Sequence, residues 1–314
     1  MRIRWVGGGV AVGGGGGYLS GVLRHRLLLG PVLIVLLVAL VWGDEWLQHG
    51  MGWPAGVLLL PVLLLAGIGA GVELVGIFKA ENVVVSRFIV CAAVVLGVFT
   101  SSFTPRELGG VSGIAVACTA AAAVLLVSLI YYSRHHNVQG VIASAASTLL
   151  AFVYVGLMGG FILLLRKEFN GWALLAVLLI TKSMDIGAYF TGRSIGKHKL
   201  IPWLSPGKTW EGLFGGVVLA GAVGAGAAAF SEQAGIRFPV LWWHGAVFGA
   251  FLGLIGQAGD LMASLLKRDA GVKDYSQRLP GFGGVLDVID SPLLVAPIAY
   301  WMLTWLSSVG GPTG

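Results

Sequence analysis

Residues 264–290 read SLLKRDAGVKDYSQRLPGFGGVLDVID. The stretch leaves one apolar run and crosses a dense set of charges at Lys267, Arg268, Asp269, Lys273, Asp274 and Arg278. It then turns at Pro280, Gly281, Phe282, Gly283 and Gly284 and enters a second apolar run carrying Asp287 and Asp290. Only 11% of the chain is charged, so this concentration stands out from its surroundings. Asp287 and Asp290 are three residues apart and share one face of the predicted helix. Carboxylates beside Lys and Arg suit a divalent cation together with a polyphosphate.

Outward from that stretch, the 314 residues are 57% hydrophobic, and the mean hydropathy is +0.89. Such values exclude an ordinary soluble domain and indicate a chain that crosses a membrane several times. The apolar runs are continuous over about 20 residues, which predicts helices rather than the shorter alternating strands of a barrel. Runs at 27–46, 53–74, 86–103, 112–132, 141–165, 171–192, 211–231, 240–268 and 284–308 give about nine spans. The Gly159-Gly160 pair is the expected site of a kink in the fifth. The fifty glycines suit close helix packing in lipid. Cys91 and Cys118 lie in separate apolar runs and read as small buried hydrophobes, neither a disulfide nor a metal pair.

Residues 1–26 read as a basic, Gly-rich N-terminal arm. The apolar segment after it is too long for a cleaved signal and is expected to stay as the first span. Residues 27–170 are then N-terminal transmembrane helices, and 171–314 form a C-terminal catalytic region. With nine spans, the arm and the loops near 75–85, 133–139, 193–210 and 268–283 fall on one side and hold most of the Lys and Arg. The other side receives Arg106, Arg166, Lys167 and Arg237 among several acids. The positive-inside rule makes the first side, with the N-terminus, cytoplasmic. The net charge of +6 belongs to these loops and is no signal for nucleic acid.

Asp185, Asp260, Asp287 and Asp290 fall inside predicted spans, where an ionised group is costly unless it serves a wet or functional site. Asp260 precedes Lys267 by about 10 Å of helix, and Asp185 precedes Arg193 by about 12 Å, at 1.5 Å per residue. Asp287 and Asp290 open the last span from the same side. All four carboxylates therefore occupy one slab near the cytoplasmic face and can converge on a polar cavity formed by the C-terminal helices. Gln257, Asp260, Ser264 and Lys267 form one polar stripe at helical spacing, and Lys182, Asp185 and Tyr189 form another. Ser205, Pro206, Gly207, Lys208 and Thr209 precede a predicted helix start. They read as an anion cradle of backbone and side-chain donors, with plain N-capping as the alternative. The Walker spacing is absent. His198 reads as a lone interfacial loop residue, and Trp203, Trp242, Trp243, Trp301 and Trp305 read as interface anchors.

These residues resemble the signature of the phosphatidate cytidylyltransferases, also called CDP-diacylglycerol synthases. Ser264, Lys267, Arg268, Lys273, Asp274, Pro280, Gly283, Gly284, Asp287 and Asp290 match its C-terminal part at the right spacing. Asp185, Gly187, Ala188, Tyr189, Phe190, Gly192 and Arg193, then Ser205, Pro206, Lys208, Thr209, Glu211 and Gly212, match its upstream part. The likeness covers about residues 180–292. Two positions depart from it: Phe282 stands where the family has His, and Val288 where it has Arg.

The resemblance implies transfer of the cytidylyl group of CTP to phosphatidate, giving CDP-diacylglycerol and pyrophosphate in phospholipid biosynthesis. It implies an enzyme of the cell (inner or plasma) membrane with a cytoplasmic active face. Asp260, Asp287 and Asp290 are expected to hold Mg²⁺, and these with Lys273 form the expected catalytic set. Lys208, Lys267 and Arg268 are expected on substrate phosphates, with Ser205, Thr209 and Ser264 as further contacts and Asp185 supporting the cavity. A second, monovalent cation and a homodimer stay open. So do three other readings: a CTP-dependent enzyme acting on another membrane lipid phosphate or alcohol, an ion-coupled transporter, and a catalytically silent relative.

Overall fold

The computed structural model describes residues 15–103, 107–108, 111–134, 138–233, 241–272, 275–276 and 283–309. Each of the nine apolar runs becomes helical. The first four are α1 (Gly15–Met51), α2 (Leu59–Ala80), α3 (Arg87–Phe103) and α4 (Gly113–Ser133). The fifth is a rod made of α5 (Val141–Ala151), a π-helical turn (Phe152–Leu157) and α6 (Met158–Glu168). The last four are α7 (Gly171–Ile195), α8 (Trp210–Gln233), α9 (Trp242–Asp269) and α10 (Leu286–Val309). Among the described residues, seven helical segments are long and apolar enough to cross a membrane: α2, α4, the rod, α7, α8, α9 and α10. The apolar α3 is shorter, at 17 residues. The chain is thus an all-α polytopic membrane protein. Its strands are confined to two small antiparallel pairs among the described residues. β1 (Glu107–Leu108) pairs with β2 (Val111–Ser112), and β3 (Lys199–Ile201) pairs with β4 (Ser205–Thr209).

Three boundaries differ from expectation. α1 begins at Gly15, so the predicted end of the arm at residue 26 falls inside a helix; extending an existing helix costs far less than starting one. Residues 1–14 lie outside the described residues. The second helix starts at Leu59 instead of 53, because Gly52 and Gly56 take positive φ and turn the chain. The irregularity expected at Gly159-Gly160 sits just before it, in the π-helical turn. There a Cβ on Gly156 would meet the α3 backbone at Gly97, so the rod rearranges where two backbones touch.

Lipid offers no hydrophobic drive for one helix to prefer another, so helix packing rests on close contact. The glycines supply it. Gly187 of α7 lies against Gly215 and Gly216 of α8, and Gly224 of α8 against Gly245 and Gly249 of α9. One buried cluster joins Val41, Leu59 and Leu163 to Leu174, Ile180, Phe248, Leu252, Val295 and Leu303. A second joins Leu74, Val90 and Tyr154 to Ala263, Leu286 and Leu293. The N-terminal helices and residues 171–309 therefore share their cores, and α10 is seated on helices from the first half of the chain.

At one end of the bundle Arg166 is 1% exposed. Its Nε lies 2.8 Å from Asp44 Oδ2 and a second nitrogen pairs with Glu45. Its Nη2 also donates to Gln48 Oε1 at 2.8 Å. Asp44 further accepts the Gly56 and Leu58 N–H groups, both at 2.9 Å. Arg166, read from sequence as a loop charge, is a buried anchor between α1 and α6. The spacing of Asp44 and Arg166 along the chain gives no hint of it. Arg166→Met leaves buried Asp44 and half-buried Glu45 without their cation. The variant should lose about 3–5 kcal/mol, seen as a lower midpoint in SDS denaturation. Adding Asp44→Asn should recover part of that loss.

Candidate active site

At the opposite end of α7, a cavity of about 610 Å³ is enclosed by α7, α8, α9, α10 and the β3–β4 hairpin, with α8 contributing Gly212 and Leu213. α7 contributes Lys182, Asp185 and Tyr189, and the β3–β4 hairpin contributes Ser205, Lys208 and Thr209. α9 contributes Gln257 and Asp260, and α10 contributes Asp287, Asp290 and Ser291. The polar stripes on α7 and α9 thus face one another, as their helical spacing predicts.

The charges are paired. Lys208 Nζ lies 2.6 Å from Asp260 Oδ2. That buried ammonium and the carboxylate form a close ion pair, at the distance of a charge-assisted contact. Lys267 donates to Asp287 Oδ1 at 2.7 Å. Asp287 Oδ2 accepts the N–H of Gly284 at 2.8 Å and of Tyr275 at 3.4 Å. Asp287 therefore caps the start of α10 as well as pairing with a lysine. Lys182 lies 3.5 Å from Asp185 Oδ2 and donates to the Val288 carbonyl at 3.3 Å. A cation from α7 thus sits against the backbone at one of the two departing positions. Asp290 Oδ1 accepts from the Ser291 N–H at 2.6 Å and the Ser291 hydroxyl at 3.2 Å. Just outside the cavity, Tyr275 donates its hydroxyl to the Ala263 carbonyl at 3.0 Å. Burial holds that phenol above its ordinary pKa, so it stays a neutral donor.

Of the expected site residues, Asp185, Ser205, Lys208, Thr209, Asp260, Asp287 and Asp290 line the cavity. Lys267 joins through Asp287. Ser264 and Arg268 do not line it. Ser264 is half-buried higher on α9. Arg268 turns its Nε to the Leu204 carbonyl at 3.4 Å, tying α9 to the hairpin. Lys273 and Phe282 lie outside the described residues. The segment from Ser205 to Thr209, expected at a helix N-terminus, is strand β4. Only Thr209 meets the helix, its Oγ1 accepting the Gly212 N–H at 3.1 Å as an N-cap. His198 is not alone: its Nδ1 lies 2.6 Å from Glu211 Oε1. Sequence reading also missed Glu73. It falls at the end of an apolar run whose helix continues to Ala80, so it is a buried membrane carboxylate.

The cavity's donor set fits a hard divalent cation, though not as a three-carboxylate cage. Among the described residues no group of three acids, histidines or cysteines is gathered tightly enough to hold a metal unaided. Both oxygens of Asp287 are engaged. Asp260 and Asp290 line the same cavity. Each keeps one oxygen with no hydrogen bond or ion pair among the described residues: Oδ1 of Asp260 and Oδ2 of Asp290. Two carboxylates completed by water and substrate phosphates are the usual protein share of a Mg²⁺ site.

Residues 24–306 match the cytidylyltransferase family. A phosphatidate cytidylyltransferase of Bacillus subtilis is 38% identical over 160 residues, and one of Pseudomonas aeruginosa is 37% identical over 153. Those alignments take in 50% and 49% of this chain and only 58% and 55% of the relative. A phosphatidate cytidylyltransferase of Helicobacter pylori aligns almost end to end, 30% identical over 90% of this chain and 92% of its own. The matched span runs from α1 to the end of α10 and so includes every helix that builds the cavity; on that match the chain belongs to the cytidylyltransferase family, together with the phosphatidate cytidylyltransferases.

Proposed function

We propose that the chain transfers the cytidylyl group of CTP to phosphatidate, giving CDP-diacylglycerol and pyrophosphate. The observation that carries the reading is the cavity itself, where three lysine–aspartate pairs from four elements meet in a chain of this family. A phosphate-monoester oxygen of the lipid attacks the α-phosphorus of CTP. The bond from that phosphorus to the bridging oxygen breaks, and pyrophosphate leaves with the bonding electrons. The nucleophile is already an anion, so no strong base is needed. The obstacle is bringing two polyanions together, which fixed cations lower. Lys208 and Lys182, the latter 38% exposed at its side chain, line the cavity and would take phosphate oxygens. Lys267 neutralises Asp287 and steadies the start of α10. Asp260 and Asp290 would hold Mg²⁺, which when bound offsets charge on the phosphates. Phosphatidate is supplied by acylation of a glycerol phosphate, and an activated diacylglycerol is consumed by alcohols that displace CMP.

The test is purified protein with CTP, Mg²⁺ and phosphatidate, watched for CDP-diacylglycerol. A parallel incubation with a polyprenyl phosphate separates the lipid classes. Product from the polyprenyl phosphate alone would overturn the choice of phosphatidate, and no product from either would overturn the activity.

The same reading makes all nine helices spans, in the cell membrane, with the cavity and the N-terminus cytoplasmic. In a background lacking Cys91 and Cys118, Lys197→Cys on the hairpin side should resist an impermeant thiol reagent in intact cells. Met51→Cys, at the far end of α1, should react. The reverse pattern would invert the orientation.

A further inference from the structure

We infer that Glu73 of α2 is a positioning residue for the site: it holds the start of α10 so that Asp287 and Asp290 face the cavity. The inference rests on the cytidylyltransfer reading above. Glu73 is 3% exposed, and its carboxylate makes no ion pair among the described residues. Instead it accepts three hydrogen bonds from the segment entering α10. Oε1 takes the Ser276 hydroxyl at 2.8 Å and the Val285 N–H at 2.9 Å, and Oε2 takes the Leu286 N–H at 2.9 Å.

A helix leaves its first N–H groups without partners inside the helix. Here they are shared between two acids. Asp287 reaches back to the Gly284 N–H, and Glu73 takes the next two. A carboxylate also suits the positive end of the helix dipole. The helix cap is therefore supplied by a side chain more than two hundred positions away in sequence, and it fixes both the height and the rotation of α10. Asp287 lies one residue after Leu286, and Asp290 one turn further on. A slip of the first turn therefore moves the Lys267 contact and the free oxygen of Asp290 together.

The turn before the helix is shaped to the same acid. A Cβ on Gly284 would run into the Glu73 carboxylate, and Gly283 takes φ +87° with the Asp287 carboxylate against it. The glycine pair thus lets two carboxylates approach the turn from opposite sides. Glu73 has no place on the cavity wall, so it acts through α10 and not on substrate.

Glu73→Ala removes both acceptor atoms, while Glu73→Gln keeps one carbonyl oxygen. Misplacing reacting groups by about 1 Å costs on the order of 10²-fold in rate. Glu73→Ala should lose about that much in kcat, and Glu73→Gln should recover a large part of it. Hydrogen–deuterium exchange supplies a readout independent of turnover. In Glu73→Ala the amides of residues 285–290 should lose protection while those of α7 and α8 keep theirs. Glu81→Gln, at the exposed end of the same helix, should match wild type in both measurements. If wild type is active and Glu73→Ala keeps its kcat, or if protection falls evenly over all helices, the positioning role is refuted. If wild type itself makes no CDP-diacylglycerol, the exchange pattern still decides whether Glu73 caps α10, and the activity reading is what has failed.

Discussion

Asp290→Asn should reduce turnover by about three orders of magnitude and leave the protein folded. Asn has nearly the same shape and can still accept at one oxygen from the Ser291 N–H, which Asp290 Oδ1 now accepts at 2.6 Å. What disappears is the negative charge facing the cavity, and with it half of the two-carboxylate share of a Mg²⁺ site. Asp260→Asn should lose as much, and there the freed Lys208 gains an alternative anion in the substrate. Asp287→Asn should be as inactive for a different reason. It breaks the Lys267 pair, made at 2.7 Å, and weakens the turn at Gly284. Its thermal midpoint should therefore fall, whereas those of the other two hold. EDTA should abolish wild-type turnover, and Mg²⁺ or Mn²⁺ should restore it. Near-normal rates in Asp260→Asn and Asp290→Asn, or indifference to EDTA, would make these carboxylates structural and remove the metal from the reading.

Lys208→Met should lose about 10²–10³-fold in kcat/KM, the scale of removing one preorganised donor from a developing or transferred charge. Its ammonium is the buried cation that pairs with Asp260. An ammonium has three N–H donors, so one paired with Asp260 can also reach a phosphate oxygen in the cavity that Lys208 lines. The comparison that settles its role is the pair of variants. If Lys208 only neutralises Asp260, then Lys208→Met combined with Asp260→Asn should be no worse than Asp260→Asn alone. If Lys208 also takes phosphate, the double variant should show a raised KM for CTP beyond either single change.

The helices were legible because a membrane span needs a run of apolar residues of fixed length. The meeting of Asp185, Asp260, Asp287 and Asp290 in one cavity followed from counting turns to the nearest Lys or Arg. That arithmetic worked because each helix is regular between those points. Local chemistry that depends on partners far along the chain was not legible. Arg166 reads as a loop charge until Asp44 is placed beside it. Glu73 reads as the edge of a run until α2 is seen to extend past it. The Ser205–Thr209 segment leads directly into the helix at Trp210, as Ser and Thr before an apolar run suggest, but its strand form was not legible. A strand pairing with Lys199–Ile201 cannot be seen in either segment alone. Ser264 shares the helical stripe with Asp260 by spacing, yet neither it nor Arg268 lines the cavity.

The buried cluster around Arg166 also bears on how the protein is made. The chain emerges N-terminus first, so Asp44 and Glu45 exist long before their cation does. Until α6 follows, the two carboxylates near the end of α1 lack their cation, and drawing them into lipid unpaired is costly. The Gly56 and Leu58 N–H groups can reach Asp44 as soon as α2 begins, but the end of α1 should reach its final packing only after Arg166 follows. A nascent protein truncated before residue 166 should leave that end open to the solvent, which makes the cluster a timing point in biogenesis as well as an anchor in the finished molecule.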